Sequence, residues 1–453
     1  MAIKRGASAI TALAATAALL AACSSGGASG ESSTTSGSDD TAASSAPAAS
    51  SAASDSAEPV TLTWWHNGTN DPLKGYWEKV AADYMAMNPN VTIEISAIQN
   101  EELQKTKIPA ALQGDNPPSL YQQWGGGELA DQVAAGKVMD ISDLVGDSLA
   151  LQGGSVAGWQ VDGKTYGLPF SMGVEGFWYN KADFAKAGIT TPPATMTEFM
   201  DAIQKLKDAG ITPIAVGAKD KWPAAHYWYN FALRDCPTAV MQQAGIDKVF
   251  TDPCFVKAGE DLQAFLDSEP FNKGFLGTPA QQGATSSAGL VANGKAAMEL
   301  MGHWDPAVMA DLTEDGKGLG ENLGWFAFPA IEGGQGDPGA ALGGGDGFSC
   351  SAQAPPECAD FLNYIASVAV QTGFAETGAG LPVSAGAEVG VTDPNMVSLL
   401  DFRNNASYVQ LWLDVAYGGN IGGALNDAVA NMFAGQGSAT DIVTAMNDAA
   451  ASQ

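Results

Sequence analysis

Of 453 residues, only 21 are lysine or arginine, three are histidine and five are cysteine, against 50 aspartates and glutamates. Each shortage excludes something. A formal charge of −29 leaves no basic footprint for a nucleic-acid backbone. With His66, His226 and His303 as the only histidines and no His-Glu-x-x-His, a zinc-hydrolase reading has no ligands to stand on, and no Gly-x-Ser-x-Gly elbow is present for a serine hydrolase. No CxxC spacing supports a metal site, so no metal and no cofactor is expected. Apolar runs long enough to cross a bilayer are missing as well. A glycosidase needs only two carboxylates, which the acidic residues can supply, so a surface glycan-degrading enzyme stays open as an alternative.

What is present begins with an export leader. Lys4 and Arg5 precede an apolar stretch from Ile10 to Ala22 that stops at Cys23. Removing residues 1–22 leaves 19 basic against 50 acidic side chains, a net of −31. Long-range repulsion then disfavours anionic ligands and suits neutral or cationic ones. The ending Leu20-Ala21-Ala22-Cys23 resembles the lipobox of bacterial lipoproteins, which implies acylation at Cys23 and a lipid anchor as the only tie to the membrane. Residues 24–58 are almost all Ser, Ala, Gly, Thr, Asp and Glu, with nothing to bury, and read as a tether. In an oxidising compartment the other four cysteines are expected as Cys236–Cys254 and Cys350–Cys358, because each pair is close in sequence and brackets a proline-containing turn.

Folding starts at Pro59, and the remaining length is more than one core usually supports, so two lobes are expected. Val60, Leu62 and Trp64 alternate with polar neighbours as a strand. Leu73, Trp77, Val80, Ala81 and Tyr84 share one helical face up to Asn88-Pro89, and Val91, Ile93 and Ile95 alternate again. A helix over 101–112 and a short strand at Leu120-Tyr121 complete a strand–helix alternation, which is the pattern of an α/β sheet covered by helices. Further on, helices are expected at 196–209, 227–233 and 256–266, strands at 177–180, 212–216, 296–301 and 323–328, and a buried helix at 361–370. From Asp393 onward the chain reads as helical, with Tyr408, Leu411, Trp412 and Val415 on one face. Three glycine-rich stretches, 167–176, 333–347 and 378–386, read as crossings between lobes.

Several pieces in order carry a resemblance: the opening strand with its tryptophan, the helix ending at Asn88-Pro89, the Gly167-Leu168-Pro169 crossing followed by Tyr179-Asn180-Lys181, and Gly294-Lys295-Ala296-Ala297-Met298 ahead of Gly302 and Trp304. Together they resemble the sugar-binding lipoproteins of ABC importers, the group that includes maltose-binding protein. The chain departs from the family pattern at Ser119-Leu120. The resemblance implies an α/β two-lobe periplasmic-binding-protein fold (type II) with three hinge crossings and a ligand cleft between the lobes. Lobe 1 would be 59–170 plus 346–382, and lobe 2 would be 171–345 plus 383–453. It also implies a monomer on the outer face of the bacterial cytoplasmic membrane that captures a neutral oligosaccharide and hands it to transmembrane permease subunits, with no catalysis. The rival within the same class is an amino-acid or peptide binder.

Sugar rings offer apolar faces to aromatics and hydroxyls to amides and carboxylates, so the candidate site is sought among tryptophans at strand ends. In the first lobe these are Trp64, Trp65, His66 and Asn67, then Gln123 and Trp124. Only one of Trp64 and Trp65 can face a cleft, because neighbours on a strand point oppositely. The second lobe offers Lys221, Trp222, His226 and Tyr227, together with His303 and Trp304 at the exit of the 296–301 strand. Asp346 beside a crossing would accept sugar hydroxyls. Trp77, Trp178, Trp325 and Trp412 sit on apolar faces and are expected in the core.

Overall fold

The computed structural model describes residues 58–452; the leader, Cys23 and all but the last residue of the tether lie outside the described residues. Strand β1 is Val60–His66, and its two-residue period buries Leu62, Trp64 and His66. The helix Leu73–Met87 turns Trp77, Val80, Ala81 and Tyr84 onto the same core and ends at Asn88. Strands β2 (Val91–Ala97) and β3 (Leu120–Gln123) flank β1, both parallel to it. Between them a helical run over 100–113 carries a π-helical turn at Leu103–Lys107.

The other major strands are β4 (Leu168–Val174), β5 (Gly176–Asn180), β6 (Met298–Met301), β7 (Leu323–Ala327), β8 (Ala340–Cys350) and β9 (Tyr408–Leu411). β5 lies between β6 and β7 and is antiparallel to both. β8 is antiparallel to β3 and β4 and parallel to β9, so one sheet runs β9-β8-β3-β1-β2 with β4 also on β8. Trp64, Trp77, Phe170, Phe348, Phe361 and Phe374 build one core. Phe177, Phe199, Tyr227, Phe265 and Phe326 build the other, which Leu103, Ile108, Tyr121 and Trp124 join from the first side. Three segments pass between the cores. Phe170 belongs to the first cluster and Val174 to another on the second side; Phe348 and Leu342 divide likewise, as do Ala379 and Leu381. Cys236 is joined to Cys254 and Cys350 to Cys358. Among the described residues no helix is long and apolar enough to cross a membrane.

Five local expectations are corrected. The crossing expected over 167–176 is mostly strand β4, and the one over 333–347 becomes strand β8 from Ala340 onward. The glycines of β8 make room for rings: a Cβ on Gly344 would stand 2.1 Å from the Trp412 indole, and one on Gly345 2.8 Å from that of Trp159. Residues 408–411 are a strand and not a helix, because β8 presents an edge over 340–343 that they complete. The strand expected at 212–216 is reduced to bridges at Ile214, since Pro213 has no N–H to give a ladder. The 361–370 helix is two, Glu357–Ala366 and Val368–Glu376, broken at Ser367, whose hydroxyl caps the second.

Candidate functional site

A cavity opens between the two cores, enclosing about 1240 Å³ when the part open to solvent is counted. Its second-lobe wall is aromatic. Lys221, held at φ +66°, turns the chain into the helix Trp222–Asp235, so Trp222 and His226 stand one turn apart at its start. The His226 imidazole N–H donates to Glu175 Oε1 at 2.6 Å, and Asn230 Nδ2 donates to Glu175 Oε2 at 2.8 Å, fixing the ring. Trp412 stacks on that ring at 5.0 Å and 10°. Trp304 meets Trp412 edge-on at 5.9 Å and lies 6.4 Å from Trp222. All four line the cavity.

Trp304 owes its place to Gly302. A Cβ on Gly302 would lie 2.3 Å from the Trp304 ring, and the Gly302 carbonyl accepts the indole N–H of Trp178 at 2.9 Å. On either side of Trp304, Glu299 and Asp305 are wholly buried, and all four of their carboxylate oxygens lack a donor. Loss of hydration pushes Asp305 up to about 8 and Glu299 well above the carboxylate range, with the neighbouring Asp305 raising Glu299 further. Burial thus favours the protonated form of both carboxyls.

The first-lobe wall is polar. The loop after β1 supplies Asn67, Asn70 and Asp71, and the segment after β2 supplies Gln99, Asn100 and Gln104. Trp124, Phe170 and Phe374 add aromatic surface. Asp346 lies on β8 opposite Ser171 of β4, and both line the cavity. Gln122 Nε2 donates to Asp346 Oδ1 at 2.8 Å. Burial lifts the Asp346 carboxyl to about 6, with Gln122 and the Trp124 indole pulling it back.

Of the residues expected in the site, Asn67, Trp124, Trp222, His226, Trp304 and Asp346 line the cavity. The rest stand elsewhere. Trp64 is fully buried, edge-on to Trp77, Phe348 and Phe361 at 5.1 to 5.5 Å. Trp65 points to the opposite face of the sheet, into a shallow surface groove with Ser96 and Lys107. His66 is buried below the loop, its Nδ1 accepting the Gly68 N–H at 3.2 Å, and burial drives its titration down to about 3. Gln123 holds the turn rather than the cavity: its Oε1 accepts the N–H groups of Trp124 and Gly125 at 2.7 and 2.9 Å. Lys221 pairs with Asp427 at 2.5 Å. Tyr227 packs between Phe265 and Phe271. His303 is buried 2.8 Å from Ser171 Oγ and behind the cavity wall, its titration lowered to about 3 by burial and by Arg403.

Trp412, expected in the core, lines the cavity. The helical reading put it on an apolar stripe, whereas β9 ends at Leu411 and releases it toward His226. Asp414, just beyond, was missed for the same reason; Asn426 Nδ2 donates to its Oδ2 at 3.0 Å. The cluster Asn67-Gly68-Thr69-Asn70-Asp71 was legible as a polar strand exit, and its last members could have been named on that ground. Among the described residues no group of three or more His, Cys, Asp or Glu could hold a metal ion.

Residues 69–372 match the model of the bacterial extracellular solute-binding protein family. An uncharacterized ABC transporter extracellular-binding protein of Pyrococcus horikoshii is 26% identical over 264 residues, a match spanning 56% of this chain and 60% of that protein. A structure from work on xylan utilization by the thermophilic bacterium Caldanaerobius polysaccharolyticus aligns with a TM-score of 0.78 at 29% identity, over 86% of this chain and 99% of that one. A chitin oligosaccharide binding protein aligns with a TM-score of 0.77 at 25% identity, over 86% and 98%. The two-lobe α/β architecture and the family match agree, and the chain belongs to the bacterial extracellular solute-binding proteins, a family that binds rather than catalyses.

Proposed function

We propose that this protein captures a neutral oligosaccharide outside the cell and delivers it to the transmembrane permease subunits of an ABC importer. The observation that carries the reading is the aromatic wall of Trp222, His226, Trp304 and Trp412 facing amides and carboxylates across one cavity. Aromatic faces cover the C–H faces of pyranose rings, and short polar side chains take their hydroxyls. The similar structures are associated with xylan utilization and chitin oligosaccharides, which supports the same ligand class. A free amino acid or peptide presents a carboxylate end that calls for a cation, and no lysine or arginine among the described residues lines the cavity.

In this reading the lobes, 59–170 with 346–382 and 171–345 with 383–453, close on the ligand by hinge motion, the mode of periplasmic binding proteins. The Trp222 indole N–H donates to Glu101 across the mouth at 3.2 Å, and Gln282 Nε2 donates to Glu101 at 3.1 Å, contacts suited to a closed state. The protein works as a monomer, held at the outer face of the bacterial membrane through acylated Cys23 and its tether. The test is thermal unfolding of tether-free protein against a panel of neutral oligosaccharides, amino acids and peptides. A ligand at about 100 times its Kd adds about 2.7 kcal/mol. Stabilisation by amino acids or peptides alone would reject the oligosaccharide reading.

A further inference from the structure

Three carboxylates line the cavity, Asp71, Asp346 and Asp414, and no cation among the described residues lines it with them. Three cations of the flanking segments are engaged elsewhere. Lys74 pairs with Glu78 at 2.5 Å and Lys221 with Asp427 at 2.5 Å. Arg403 donates to the carbonyls of Met172 and Pro382 at 2.7 and 3.2 Å. Asp71 is exposed and occupied by the Gly75 N–H. Asp346 and Asp414 are different, because only neutral side chains hold them: Gln122 and the Trp124 indole on Asp346, and Asn426 on Asp414. A carboxylate removed from water and given only neutral donors is short of a positive partner. Glu175, buried behind His226, adds a further carboxyl to this side of the cavity. Four aromatic rings line the same space, and a π-face is negative at its centre.

We infer that the cavity selects its oligosaccharide by charge, taking sugars that carry an amine as ammonium toward Asp346 and Asp414 and turning away sugars that carry a carboxylate. The inference rests on the oligosaccharide reading and narrows it. An ammonium supplies the missing partner to buried carboxylates and gains from the tryptophan faces. A uronate adds another desolvated anion to a space that already holds three carboxylates. The formal charge of −29 acts in the same direction at long range, lowering the concentration of anionic sugars near the mouth.

The experiment compares three β-1,4-linked tetrasaccharides of one backbone: cellotetraose, the glucosamine tetramer, and cellotetraose oxidised to carboxylates at C6. Each is titrated by calorimetry into the wild-type protein at mildly acid pH, in two buffers of different ionisation enthalpy. The glucosamine tetramer is expected to bind at least about ten-fold tighter than cellotetraose, with release of protons as Asp346 ionises against the amine, and the oxidised form is expected not to bind. Asp346→Asn should erase the amine advantage and the proton release, so that the variant binds the glucosamine tetramer no tighter than it binds cellotetraose. An amine form no tighter than cellotetraose, or an oxidised form that binds as well, overturns the inference. Binding of any neutral sugar of the panel without binding of the glucosamine tetramer does the same and leaves the oligosaccharide reading standing. Failure of every sugar, charged or neutral, removes that reading and the inference with it.

Discussion

Replacing Trp304 and Trp64 by alanine in parallel separates the cavity from the core. Trp304 is partly buried, with its ring on the cavity, an edge on Trp412 and its indole N–H without a partner. Truncation therefore orphans no hydrogen bond. In the empty protein it forfeits the contacts with Trp412 and Trp222, each worth about 0.5 to 1.5 kcal/mol at most beyond area burial. In the complex it also forfeits a sugar-stacking face, which for a hot-spot aromatic costs about 2 kcal/mol or more, a Kd about 30-fold weaker. Trp64 has no exposed surface and four edge-on ring neighbours, so its removal costs about 3 to 5 kcal/mol of folding free energy and leaves the Kd of folded molecules alone. Calorimetric titration with the best sugar of the panel, beside urea unfolding of the ligand-free variants, reads both quantities. If Trp304→Ala keeps its Kd within about three-fold and loses stability as Trp64→Ala does, Trp304 is core and the stacking surface must be sought at Trp222 and Trp124.

Asp305, raised to about 8 by burial, holds its proton in the folded state far above the pKa of about 3.9 expected when unfolded. Its contribution to stability is therefore complete below about pH 4 and lost as pH rises through about 8. Asp305→Asn should flatten the fall of the urea midpoint over that window, and an unchanged slope would count against the buried pair. Disulfides spanning 18 and 8 residues should contribute about 3 and about 2.5 kcal/mol by loop closure. Mass spectrometry without reductant should find the Cys236–Cys254 and Cys350–Cys358 peptides linked, and dithiothreitol should lower the unfolding midpoint; free thiols or crossed pairs would contradict this. Cys23→Ala should abolish metabolic labelling with a fatty acid, and a variant that still takes up label is not acylated there.

Much of the fold was legible because periodicity reports which side chains share a face. The alternation from Val60 to His66 and the spacing of Trp77, Val80 and Tyr84 became the strand and helix they described. Periodicity does not report which face meets the cleft. Trp64 therefore read like a ligand contact although it points into the densest aromatic cluster of the first core. Tyr227 and His303 failed in the same way, each one residue from a side chain that does line the cavity. Glycine misled for another reason: in β8 its missing side chain is used as space for the Trp159 and Trp412 rings, a role that depends on residues about 70 to 190 positions away and leaves no local mark. Trp412 was lost through a short apolar run that fits strand and helix alike.

β4 and β8 are bonded to each other from Leu168 opposite Phe348 to Val174 opposite Gly343, with the register slipping between Asp346 and Gly347. Two of the three passages between the lobes are thus the edges of one ribbon, which behaves mechanically as a torsion bar rather than a pair of slack strings. If the lobes hinge as proposed, opening winds that ribbon, and the register slip beside Asp346 is where its ladder is interrupted. Ser171 and Asp346 face the ligand space from opposite edges of the ribbon at that point. An occupant that grips both acts as a splint across the bar, so tightness of binding and stiffness of the hinge rise together. Sugars that touch only the aromatic wall leave the bar free to wind, and their dwell times should be short even where their contact area is large.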